Sequence, residues 1–147
     1  MNVRKIAGFA VGPIGGAFLG FITLPLTAWF FSTEDIGRIA LLQIVLGFTT
    51  MLFSLGLDQA YVREYHEKEN KSELWKQTTF PGLYLILLVS FILIIHPYLL
   101  SELLFDTQSW LISFLVIVLF IANYLIRFFS LILRMQEKGF LFSMSQI

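Results

Sequence analysis

Apolar residues in this chain come in long unbroken runs separated by short polar stretches, without the strict alternation that a half-buried strand requires. Four runs stand out, at Ile6–Phe31, Ile39–Leu57, Phe80–Leu100 and Leu111–Leu133, and Arg127 is the only formal charge inside any of them. A hydrocarbon core about 30 Å thick is crossed by about 20 helical residues, so each run predicts a transmembrane helix whose backbone groups bond within the segment. A further apolar stretch begins near Phe140 and reaches only Ile147, so the chain reads as cut short within a fifth span. The expected fold class is an all-α membrane protein, with residues 1–147 forming one partial transmembrane domain.

Composition agrees with the pattern. Hydrophobic types make up 57% of the chain, charged types only 14%, and the mean hydropathy is +0.80, whereas soluble domains carry roughly 25% charge. Ten basic residues balance ten acidic ones, leaving no net field to draw nucleic acid. The absence of cysteine excludes a disulfide framework, a thiolate metal site and a cysteine nucleophile. His66 and His96 lack the spaced partners that a metal site needs, and there is no Walker loop, no serine elbow and no pair of intramembrane carboxylates. The chain therefore reads as neither an enzyme nor the holder of a cofactor.

Basic residues set membrane orientation. Nine of the ten fall on one side: Arg4 and Lys5 before the first span, Arg63, Lys68, Lys71 and Lys76 between the second and third, and Arg127, Arg134 and Lys138 closing the fourth. The connections Ser32–Arg38 and Ser101–Trp110 hold Arg38 alone. Both ends of the chain are thus expected on the cytoplasmic side of the cell membrane. Trp29, Trp75 and Trp110 stand at span ends, where an amphipathic ring favours the headgroup layer. The basic leader before Ile6 resembles a signal peptide, but the apolar stretch behind it is too long for one, and an uncleaved first helix is preferred.

Within the first span Gly8, Gly12, Gly16 and Gly20 recur every fourth residue, which predicts a strip of bare backbone that another helix can approach closely. Pro13 and Pro25 free carbonyls one turn back and offer the alternative of a hinge or cavity wall. Ser32-Thr33-Glu34-Asp35 supplies a hydroxyl cap and first-turn acids for the second span. That span is expected to continue as helix through Leu55-Gly56-Leu57-Asp58-Gln59-Ala60-Tyr61-Val62-Arg63-Glu64-Tyr65, with Arg63 and Glu67 paired one turn apart. The charged stretch from Glu64 to Glu73 reads as a solvated loop, in which Asn70-Lys71-Ser72 is an incidental sequon, and His96 before Pro97 reads as a capping or interfacial residue.

The fourth span carries the chemistry. Asn123, Arg127, Ser130 and Arg134 are spaced four, three and four apart, which predicts one polar stripe on an otherwise apolar helix. An intramembrane arginine avoids lipid, and Arg127 either faces protein and water or lies close enough to the cytoplasmic boundary to snorkel. Both readings stay open from the sequence.

The order of these elements, from the Gly-Pro and Leu-Pro-Leu-Thr features of the first span, through Ser32-Thr33-Glu34-Asp35-Ile36-Gly37 and Leu55–Tyr65, to Arg134-Met135-Gln136-Glu137-Lys138-Gly139 and Ser145-Gln146-Ile147, resembles the start of bacterial polysaccharide flippases. These are relatives of the MATE drug exporters and the lipid II flippases. The resemblance implies two six-helix lobes rocking about a central cavity, of which this chain supplies part of the N-terminal one. It also implies a substrate, an oligosaccharide on a polyprenyl diphosphate for polysaccharide, lipopolysaccharide or O-antigen synthesis, with membrane lipid around it and polysaccharide polymerase machinery as an open partner. A diphosphate crossing hydrocarbon needs cationic or amide donors, for which Arg127 and Asn123, with Ser130 beside them, are the candidates. The competing readings are a non-transporting membrane scaffold, with the glycine strip serving association alone, and a four-helix multidrug exporter, whose embedded glutamate the first span lacks.

Overall fold

The computed structural model describes residues 3–136, with side-chain surroundings from residue 12 onward. The expected fifth span near Phe140, and the surroundings of Gly8, lie outside the described residues. Within them the order is α1 (Val3–Phe30), α2 (Thr33–Ser54), α3 (Leu57–Glu64), α4 (Lys71–Ile95), α5 (Leu99–Phe105) and α6 (Trp110–Met135), with no strand. Four of these helices, α1, α2, α4 and α6, are long and apolar enough to cross a membrane. At 1.5 Å per residue, the 22 residues of α2 reach about 33 Å, close to the thickness of the hydrocarbon core. The chain is an all-α membrane protein.

α1, the turn before α2 and the last turns of α6 belong to one unit, and Arg38–Phe128 forms another. In the first, α1 stays helical through both Pro13 and Pro25. A Cβ built at Gly16 or Gly20 meets nothing within 4 Å. The start of α2 is a reciprocal capping box. Ser32 Oγ accepts from the Asp35 N–H at 3.1 Å, while Asp35 Oδ2 accepts from Ser32 Oγ at 2.6 Å and from the Ser32 N–H at 3.3 Å. Ser32→Ala removes one side of this exchange and is expected to cost about 1 kcal/mol, read as a lower unfolding midpoint of the detergent-solubilised protein.

The helix does not run on past the second span as its sequence suggested. Leu55 and Gly56 take left-handed backbone angles, φ 51° and 72°, which end α2 at Ser54 and restart the chain as α3. Glycine tolerates that region freely and leucine does not, so the strain of the break falls on Leu55. α3 packs against α4 and buries Tyr61 and Asp58. Because α3 ends at Glu64, Glu67 is not a helical turn from Arg63. Arg63 instead pairs with its neighbour Glu64 at 3.8 Å, an exposed contact of little energetic weight.

α4 begins at Lys71, well before the apolar run at Phe80. Asn70 Oδ1 accepts from the Glu73 N–H at 3.2 Å, so the sequon asparagine serves as an N-cap. Lys71 closes the loop before it, donating to the Tyr65 and Lys68 carbonyls and lying 4.6 Å from the centre of the Tyr65 ring. The helix ends at Ile95, earlier than the run suggested, because Pro97 disfavours a helical His96, whose N–H caps Leu93 O at 3.1 Å. Part of the connection that followed the third span is helical, as α5. Its junction with α6 is tied by three serines: Ser113 Oγ accepts from the Ser101 N–H at 3.0 Å and Ser101 Oγ accepts from the Ser109 N–H at 3.2 Å.

The core of this unit follows one seam of α6. Ser113, Ile117, Phe120, Tyr124 and Phe128 are buried at intervals of three or four residues, with Val116 buried beside them, which is one helix face.

Candidate functional site

Three helices meet where that seam reaches Tyr124. Its hydroxyl donates to the Thr79 carbonyl of α4 at 2.8 Å, and its ring packs on Phe128 with centroids 5.0 Å apart. Gly82 lies at the same crossing: a Cβ there would stand 2.1 Å from Phe53 O of α2 and 2.3 Å from the Tyr124 hydroxyl. Pro81 beside it lacks the N–H that would bond the Gln77 carbonyl, yet α4 continues unbroken. Glycine is required here by contact, since no side chain fits between the α2 backbone and the Tyr124 ring.

The polar stripe of α6 runs beside the seam. Asn123 donates to Thr50 Oγ1 at 2.9 Å and to Leu46 O at 3.4 Å, and Thr50 Oγ1 in turn donates to Leu46 O at 2.9 Å. The amide therefore ties α6 to the middle of α2. Interhelical hydrogen bonds of this kind contribute about 0.6 kcal/mol on average in a membrane protein.

One turn further along, Arg127 Nη2 donates to Asp58 Oδ2 at 2.8 Å. Asp58 occupies the first turn of α3, where the positive end of the helix favours a carboxylate, and its other oxygen accepts from the Gln59 N–H at 2.9 Å. The two partners differ in access. The Asp58 side chain is 10% exposed and the Arg127 side chain 56%. A guanidinium carries five N–H donors in a planar fork, and a single carboxylate oxygen engages only part of that capacity. The site thus combines a fixed, nearly buried anion with a cation open on its far side. Tyr61, on the same short helix as Asp58, is 2% exposed, and burial, reinforced by Tyr65, raises its phenol above the ordinary range.

A family model described as polysaccharide biosynthesis protein matches residues 3–147. The chain belongs to that family. This ties it to polysaccharide synthesis or export. Neither the curated proteins nor the solved structures gave a match.

In this family member the sequence-derived candidates have separate settings. Arg127 is brought to Asp58, Asn123 to Thr50, and Ser130, one turn beyond Arg127, is buried. The acid that pairs with Arg127 was missed because it lies one residue beyond the second apolar run, outside the spans where an intramembrane carboxylate was sought. The signal that could have found it is the Gly56 break, which turns Asp58 into the first-turn acid of a new helix. Among the described residues no group of three or more His, Cys, Asp or Glu side chains could hold a metal ion.

Proposed function

We propose that this chain forms part of the N-terminal lobe of a MATE-like flippase that moves a polyprenyl-diphosphate-linked oligosaccharide across the cytoplasmic membrane, with its N-terminus on the cytoplasmic side. Arg127 is its phosphate-facing cation, and Asn123 and Ser130 line the same helix face. The glycine strip of α1 is the surface on which a further helix seats. The observation that carries this reading is an arginine in the C-terminal third of a membrane-spanning helix, held on one edge by Asp58 and still 56% exposed. Family membership supports the substrate class, and the planar fork suits phosphate oxygens better than a point charge does.

The test is Arg127→Lys introduced into the native gene, because lysine keeps the charge and loses the fork. Cell-surface polysaccharide is expected to fall about tenfold at unchanged protein abundance, since a charge-assisted hydrogen bond contributes about 1.5–3 kcal/mol. Lipid-linked oligosaccharide should accumulate at the same time, a result a non-transporting scaffold would not produce. Unchanged polymer and no accumulation at normal abundance would reject the assignment.

A further inference from the structure

The pairing of Arg127 raises a question that its position alone does not answer: why a cation meant for a ligand should already hold an anion. Three features bear on it. First, the contact between the two side chains is single, Nη2 to Oδ2 at 2.8 Å, whereas phosphate and carboxylate ligands of arginine commonly engage two parallel N–H donors. Second, Asp58 is anchored independently of Arg127, through the Gln59 N–H and its place in the first turn of α3, so it stays in position when the guanidinium leaves. Third, the access is one-sided: Asp58 is nearly buried and Arg127 is open, so an incoming anion reaches the cation and not its partner.

We infer that Asp58 is a built-in competitor for Arg127, a positioning residue that holds the guanidinium while the site is empty and yields it when a diphosphate-bearing ligand arrives. This rests on the reading of Arg127 given above and adds its regulation. The chemistry is a plain exchange of ion pairs with no covalent step. A diphosphate presents more charge and more oxygens than one carboxylate edge, so it wins the fork. Once the ligand departs, Asp58 recaptures the cation and opposes rebinding. Apparent affinity is lowered by the fraction of time that Arg127 is free, which favours release on the far side of a transport cycle.

The experiment measures binding by the purified full-length protein in phosphatidylcholine nanodiscs, with farnesyl diphosphate and inorganic pyrophosphate as separate probes. Asp58→Asn keeps the shape and removes the charge, and it is expected to lower the Kd about five- to tenfold, as the competing state is lost. Asp58→Ser, smaller and also uncharged, serves as a second variant and must shift in the same direction, while Asp58→Glu should return the Kd toward that of the unaltered protein. A purely structural role would weaken binding or leave it alone. Tightening for farnesyl diphosphate only identifies a prenyl-linked headgroup as the ligand, and tightening for both probes identifies the diphosphate itself; either supports the proposal. If the unaltered protein binds and Arg127→Ala/Asp58→Asn does not, but the neutral Asp58 variants bind no more tightly, the competitor role is overturned and the Arg127 assignment stands. If neither probe binds the unaltered protein or Asp58→Asn, or if the double variant binds as well as the unaltered protein, both fall together.

Discussion

Gly82→Ala should sharply reduce the amount of folded protein, although the substitution alters no charge and no hydrogen-bonding side chain. The added methyl would lie 2.1 Å from Phe53 O and 2.3 Å from the Tyr124 hydroxyl, both far inside van der Waals contact. Neither neighbour yields easily. Phe53 O is backbone within α2, and Tyr124 is fully buried with its hydroxyl committed to Thr79 O. Overpacking of this kind costs about 1–3 kcal/mol, and a clash with main chain belongs at the upper end. Adding Tyr124→Phe should not rescue it, because the approach to Phe53 O remains and the 2.8 Å bond to Thr79 O is lost. Gly47→Ala in α2 is the matched control: its Cβ meets nothing within 4 Å, and alanine is the better helix former by up to about 1 kcal/mol. The measurement is monodisperse protein recovered in detergent together with its unfolding midpoint. Equal values for Gly82→Ala and the unaltered chain would show that the three helices do not meet as described.

The Asp58–Arg127 pair should respond unequally to loss of either partner. Arg127→Ala leaves a carboxylate that is only 10% exposed with the Gln59 N–H and the helix end as its remaining partners, a loss of about 1–3 kcal/mol. Asp58→Ala leaves a guanidinium that is 56% exposed and retains access to other partners, so its cost should be nearer the 0–1 kcal/mol or so of an open ion pair. Removing both, as Arg127→Ala/Asp58→Asn, should recover most of the stability lost in Arg127→Ala, because no charge is then left unmatched. Thermal unfolding of the four proteins in one detergent checks the order. Equal losses for the two single variants would mean that the carboxylate is better solvated than its burial indicates.

The long helices were legible because hydrocarbon is an unforgiving solvent: an uncharged run of about 20 residues has few other homes. The Ser32–Asp35 cap was legible for the same local reason, since hydroxyl and acid three residues apart have one obvious use. What stayed hidden depends on residues far apart in the chain. An apolar run measures where lipid is, not where a helix begins, so the nine residues Lys71–Thr79 of α4 lie ahead of the expected span, and Lys71–Glu73 fall in the stretch expected as loop. α3 and α5 are too short to show a period. Gly82 has no partner glycine at helical spacing to draw attention to it, and its need for a hydrogen side chain arises wholly from α2 and α6. The α6 stripe was visible as a pattern, but what each member touches was not: Asn123 meets α2 and Arg127 meets α3.

That last contact also bears on how the chain is made. Asp58 and Arg127 are separated by 69 positions, and a ribosome adding about 5–20 residues per second needs roughly 3–14 s to cover that distance. Throughout that interval the carboxylate has been synthesised and its counter-ion has not. α3 can pack on α4 before then, but its ion pair closes only once α6 has been made, so the last of these helices to be translated completes a contact that an earlier one has waiting.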